Sequence, residues 1–225
     1  MNIDNEKYLA ILILIGGKST RFGTEKAAID LFGKPLILHQ IDILYKFDHD
    51  IFLVAHSEEQ IYNYRKQIEF PAQIKFIVDD RDIFKYIKLY KPMLGIYSGF
   101  KELNNLGFEK AFVLSCDMPL IKSDVVNLMI NESKGYDCAV PRWNSGFLEP
   151  FFAIYPISKG FYKAKEILTN ENYGLYNFID RDWNINYISV EKSIQPLDNK
   201  LLSFLNINGP IDIAKALKIF REESI

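Results

Sequence analysis

Cysteine is scarce in this 225-residue chain: Cys116 and Cys138 are the only two, and they form neither a CxxC pair nor a dense framework. A disulfide scaffold is therefore excluded, and the chain reads as a reduced, cytoplasmic protein with both thiols inside. Its three histidines, His39, His49 and His56, lack metal-ligand spacing, which removes zinc. A basic excess is also missing. The net charge is −2, against the expectation for a nucleic-acid-binding surface. The apolar run after Lys7 falls far short of the ~20 residues that cross a bilayer, and Met1 to Lys7 carries Asp4 and Glu6 rather than a basic leader. There is no Gly-x-Ser-x-Gly elbow and no Cys/His nucleophile pair, so covalent catalysis lacks support. Repeats, low-complexity tracts and linkers are absent. A single domain over residues 1–225 is expected, free of membrane and nucleic acid.

Apolar residues make up 48% of the chain and aromatics 14%, enough for a substantial core. Short, nearly continuous apolar runs at Tyr8–Ile15, Ile51–Ala55, Ile74–Val78, Ala111–Ser115 and Asp137–Val140 read as strands buried on both faces. Helical patterns at Lys34–Tyr45, Glu58–Ile68, Leu94–Leu106 and Lys122–Ser133 separate them. The second half adds strands at Leu148–Tyr155 and Ile185–Val190, with helices at Ser158–Leu168 and Ile211–Arg221. Such alternation predicts an α/β, Rossmann-like three-layer α/β/α fold with a mostly parallel (mixed) central sheet. Its ligands bind outside the carboxyl ends of the strands.

The first strand empties into Gly16-Gly17-Lys18-Ser19-Thr20-Arg21-Phe22-Gly23-Thr24-Glu25-Lys26. Glycines let backbone N–H groups approach an anion, and Lys18, Arg21 and Lys26 supply positive charge to oppose phosphate oxygens. The loop is not a Walker loop, because Gly23 is followed by Thr24 rather than lysine. Nor is it a dinucleotide fingerprint, because Gly16 and Gly17 are adjacent. Taken alone, it also fits a surface turn with solvated charges.

Four further segments carry candidate chemistry. In Ser115-Cys116-Asp117-Met118-Pro119 a strand runs into an aspartate, a position for a Mg²⁺ ligand or for a turn carboxylate. Asp79-Asp80-Arg81 ends the third strand in the same way and offers acceptors to a base or ribose, or a solvated acidic loop. The segment from Asp79 to Lys91 is irregular, fitting an active-site loop or a partly helical excursion. Pro92-Met93-Leu94-Gly95-Ile96 opens a helix with a close backbone contact at Gly95. Asn206-Ile207-Asn208 sets two amides on one face of an extended segment, for a polar ligand or, at Asn208, for a helix cap.

Together these segments resemble the molybdenum cofactor guanylyltransferase family. Leu14 to Lys26 is similar to that family's leucine-alanine-glycine-glycine signature, continued by Gly33-Lys34-Pro35-Leu36. Pro92 to Ile96, Ser115 to Pro119, Glu149 to Tyr155 and Asn206 to Pro210 resemble its later motifs. The chain departs at Ile15, where a small residue is usual, at Lys91 and at Gly209. Val54-Ala55-His56 stands where the family often has an asparagine that helps to read the base. The resemblance implies Mg²⁺-dependent transfer of GMP from GTP to the phosphate of molybdopterin, with release of pyrophosphate. It implies Asp117 as the metal ligand, with Arg21, Lys26 and Asp117 catalytic. Leu14, Ile15, Gly16, Gly17, Ser19, Lys26, Asp80, Gly95 and Asp117 are then the nucleotide-binding set, and Asn206 and Asn208 lie on the pterin-phosphate side. Molybdoenzymes or other cofactor-biosynthesis proteins are the expected partners. The alternatives are a nucleotidyltransferase using CTP or another phosphorylated acceptor, and a noncatalytic nucleotide-binding module.

Overall fold

Seven strands join in one sheet, and their order decides where a ligand can enter. The computed structural model describes residues 7–16, 18–19, 24–81 and 92–223, with backbone alone at 18, 19, 24 and 220–223. Strand β1 is Leu9–Leu14. Two small antiparallel pairs follow, β2 (Lys18–Ser19) with β3 (Thr24–Glu25) and β4 (Asp30–Leu31) with β5 (Lys34–Pro35). Then come α1 (Leu36–Leu44), β6 (Ile51–Ala55), α2 (Glu58–Gln67), β7 (Lys75–Val78), α3 (Pro92–Asn105), β8 (Lys110–Ser115) and α4 (Ser123–Glu132). The chain closes with β9 (Cys138–Arg142), β10 (Phe152–Pro156), α5 (Ile157–Thr169), β11 (Ile185–Ser189) and α6 (Pro210–Glu223).

The sheet order is β11-β9-β10-β8-β1-β6-β7. From β1 the chain moves outward through β6 and β7, then crosses to β8 on the other flank of β1. That reversal opens a crevice at the carboxyl ends of β1 and β8. All neighbours are parallel except β10, which runs antiparallel to both β8 and β9. The mixed, mostly parallel sheet of the sequence reading is present. Most boundaries shift by one or two residues, and the largest shift is in the strand expected from Leu148, which begins at Phe152. A turn takes Glu149 to Phe151, with the Phe152 N–H bonded to the Glu149 carbonyl (3.0 Å).

Strand parity sorts β1 into two cores. Ile11, Ile13 and Ile15 face α1, α2 and α4, whereas Ala10 and Leu12 face α3 and α5. Each fully buried aliphatic side chain contributes about 1.5–3 kcal/mol. Helix α3 lies unusually close to the sheet because Gly99 has no Cβ, and one built there would sit 2.6 Å from Leu12 Cδ2. The start of α3 is thereby drawn over the crevice. Among the described residues, no helix is long and apolar enough to cross a membrane.

Candidate active site

A cavity of about 240 Å³ occupies the crevice. In register at its floor are Leu14, Val54 and Ser115, paired across β6, β1 and β8. Pro92 and Gly95 of α3 form its roof, and a Cβ on Gly95 would meet Leu14 Cδ2 at 3.2 Å and Asp79 Oδ1 at 3.6 Å. Glycine keeps this apolar slot open.

At the rim, Lys26 Nζ donates to Asp117 Oδ2 at 2.6 Å and to Asn208 Oδ1 at 2.7 Å. Both charged side chains are largely withdrawn from solvent, 18% exposed for Lys26 and 14% for Asp117. The other carboxylate oxygen, Asp117 Oδ1, is buried and lacks a hydrogen-bond partner among the described residues. An acceptor left in that state costs about 1–3 kcal/mol unless a ligand completes it. Three local contacts hold the aspartate turn. Gln40 of α1, fully buried, donates from Nε2 to Ser115 O (2.8 Å) and Met118 O (2.7 Å). The Ile207 N–H donates to Asp117 O (2.8 Å), which ties the two-asparagine segment to the aspartate. The Asp212 carboxylate of α6 accepts the Asn208 N–H (2.9 Å), so helix-start chemistry fixes that segment from its far side.

Two titratable groups in the cavity are perturbed. Burial raises the Asp79 carboxyl from 3.8 to about 7, and the Arg81 guanidinium offsets only part of this. Burial likewise pushes the Cys116 thiol up to about 12, so it offers no thiolate nucleophile at neutral pH. Beside the cavity, Trp143 Nε1–H donates to Glu149 Oε1 at 2.8 Å and closes the β9–β10 hairpin. Burial still holds the Glu149 carboxyl above its ordinary range.

The MobA-like NTP transferase domain matches residues 11–184 of this sequence. The chain belongs to that family. This nucleotidyltransferase is 34% identical over 211 residues to a Pyrococcus horikoshii protein named "Probable molybdenum cofactor guanylyltransferase", covering 91% of this chain and 97% of that one. A protein of the same name from Natranaerobius thermophilus is 30% identical over 212 residues, with 93% and 95% covered. The crystal structure of molybdopterin-guanine dinucleotide biosynthesis protein A from Archaeoglobus fulgidus superimposes with a TM-score of 0.74 at 26% identity, over 95% of this chain and 99% of that one.

Of the residues singled out from sequence, Leu14, Gly16, Lys26, Gly95, Asp117 and Asn206 line this same cavity, and Asn208 reaches it through Lys26. Ile15 does not. It is fully buried on the opposite face, where only its backbone takes part, the N–H donating to Val54 O (2.9 Å). Asp80 is also turned away, pairing its carboxylate with Lys101 of α3 (2.5 Å) while its N–H bonds Ser98 Oγ (2.8 Å). The neighbouring Asp79 lines the cavity instead. Strand parity carries that signal: Asp79 follows Ile77 by two and shares its α3-facing side. Gly17 and Arg21 lie outside the described residues, and Ser19 is described in backbone only. Most of the irregular segment after Asp79, residues 82–91, is outside them too. Of the stretch Val54-Ala55-His56, Val54 lines the slot, and Phe151 joins the lining from the turn before β10.

Proposed function

We propose that this protein transfers GMP from GTP to the terminal phosphate of molybdopterin, releasing pyrophosphate, and that the whole chain works as one nucleotidyltransferase domain. One observation carries the reading: Lys26 and Asp117, 91 positions apart in sequence, meet at 2.6 Å on the rim of the slot at the carboxyl ends of β1 and β8. The names of the relatives and the continuous sheet from Leu9 to Ser189 support it.

Asp79 is the base reader in this proposal. Ionised carboxylate is acceptor-only, and guanine presents adjacent N1–H and N2–H₂ donors, whereas cytosine presents a single N4–H₂ donor beside the acceptors N3 and O2. Leu14, Val54 and Gly95 supply the apolar walls against which a base stacks. The Lys26 ammonium leaves Asp117 for the triphosphate oxygens and opposes the charge that builds on the departing pyrophosphate. The side-chain N–H₂ groups of Asn206 and Asn208 orient the acceptor phosphate. An oxygen of that phosphate forms the new bond to the α-phosphorus of GTP as the α–β bridging P–O bond breaks, so no protein nucleophile is required.

A divalent cation fits this rim. Among the described residues no cluster of three or more His, Cys, Asp or Glu is present, which does not suit an all-protein cage. Mg²⁺ takes one or two carboxylates together with phosphate oxygens and water, and the unpartnered Asp117 Oδ1 is a suitable ligand. Bound there with the nucleotide, the ion would supply charge neutralisation to the phosphates.

The test is pyrophosphate release from GTP and from CTP with purified molybdopterin, for the natural chain and for Asp117→Asn. Turnover with GTP that falls at least about a hundredfold in the variant, with the melting temperature kept within a few degrees, is expected. Preference for CTP would overturn the base assignment, and full turnover by Asp117→Asn would remove Asp117 from the reaction.

A further inference from the structure

The loop that delivers Lys26 is fastened at both described ends by α2, a helix that contributes nothing to the cavity lining. Gln60 and Tyr64 stand one turn apart on α2 and are fully buried, 1% and 0% exposed. Gln60 Nε2 donates to Glu25 Oε2 at 2.6 Å and to Ile15 O at 3.3 Å, while its Oε1 accepts the His56 N–H at 2.9 Å. The Tyr64 hydroxyl lies 3.2 Å from Ile15 O and 3.5 Å from Glu25 Oε2, sharing one proton between two acceptors. It accepts the Ala27 N–H at 3.4 Å. Burial, reinforced by the Glu25 carboxylate, raises this hydroxyl well above its ordinary range, so it remains a proton donor.

These two side chains thus connect the carbonyl just beyond β1 with the residues on either side of Lys26. Packing alone does not account for them. A leucine or methionine would fill the same stripe of α2 without burying an amide, and a buried amide is costly unless its groups are paired. Here the amide's donors go to the loop ends and its acceptor to the residue after β6. The Lys26 chain begins between two pinned residues, and a misplacement of about 1 Å at its root carries through to the ammonium.

We propose that Gln60 and Tyr64 are positioning residues that hold the Lys26 ammonium at the phosphates by clamping Glu25, Ala27 and Ile15. The inference rests on the reading of Lys26 as the phosphate-facing cation. It makes α2 a support for turnover although no atom of α2 lines the site.

The experiment measures kcat and nucleotide KM for Gln60→Leu and Tyr64→Phe, each in the natural chain and in Lys26→Ala. A group acting through Lys26 has nothing left to position once Lys26 is removed. Both variants are expected to lower kcat roughly tenfold in the natural chain, with smaller changes in KM, and to have no further effect in the Lys26→Ala background. Tyr64→Phe keeps the ring and removes only the hydroxyl, so it remains informative if Gln60→Leu folds poorly. A second arm uses Gln60→Glu, which sets two carboxylates together, and the exchanged pair Gln60→Glu/Glu25→Gln, which restores one donor facing one acceptor. Recovery of kcat to within about threefold in the exchanged pair is expected. The same fractional loss in both backgrounds would overturn the inference and leave Gln60 and Tyr64 as core residues only. Unchanged turnover in Lys26→Ala itself would overturn the reading of Lys26, and the inference with it.

Discussion

Asp79 shows how one position in a strand decides a chemical role. Its carboxyl lies on the cavity side of the sheet and burial lifts it to about 7, whereas Asp80 one residue on is spoken for by Lys101. Both stability and binding follow from that difference. The unfolded chain ionises this group from near 3.8, but the folded chain keeps its proton until about 7. The penalty for burying it is therefore absent below the lower value, grows between the two, and is complete above the upper one. Asp79→Asn should raise the melting temperature at pH 8 and leave it nearly unchanged at pH 4, as read by thermal denaturation. A guanine base donating to Asp79 favours the ionised form, so nucleotide binding at pH 7 should release a proton. Calorimetry in buffers of different ionisation enthalpy measures that release. Its persistence in Asp79→Asn would exclude Asp79 as the source.

Among the elements, α1 has a function beyond covering the sheet. Its buried stripe of Leu36, Ile37, Ile41 and Leu44 is interrupted by Gln40, whose amide bridges Ser115 O and Met118 O around the aspartate turn. Without those bonds the Met118 carbonyl loses its side-chain partner inside the core. Gln40→Leu suits the helix and the stripe, so a simple hydrophobic count forecasts no loss. The hydrogen-bond account forecasts destabilisation by roughly 1–3 kcal/mol in urea unfolding. An unchanged midpoint would show that the turn holds itself.

For the molecule as a whole, the position of α3 couples packing to the site. This helix lies between β1 and α5, where Gly99 admits Leu12 and Gly160 of α5 admits Phe100; a Cβ on Gly160 would sit 2.4 Å from that ring. The same helix carries Pro92 and Gly95 over the slot proposed to take the nucleotide. Gly99→Ala should push α3 from the sheet, costing about 1–3 kcal/mol in stability and raising the nucleotide KM through displacement of Gly95. Denaturant titration alongside steady-state kinetics checks both. A stability loss with unaltered KM would separate the packing of α3 from the slot that it roofs.

Most elements were legible from residue order because apolar runs and helical stripes are local. Ile51–Ala55 emerged as read, and the other strands and helices fall close to where their patterns lie. The glycine-rich loop and the aspartate after β8 were visible for the same reason: a chain leaving a buried strand must turn at its carboxyl end. What local pattern does not contain is partnership at long range. The contacts of Lys26 with Asp117 and Asn208 bridge 91 and 182 positions. They arise from the strand order and from the backbone bond that brings Ile207 to Asp117. The choice of Asp79 over Asp80, the withdrawal of Ile15 into the core and the buried amides of Gln40 and Gln60 have the same origin. Each depends on which face meets which layer, and that is settled only when the sheet closes between its helices.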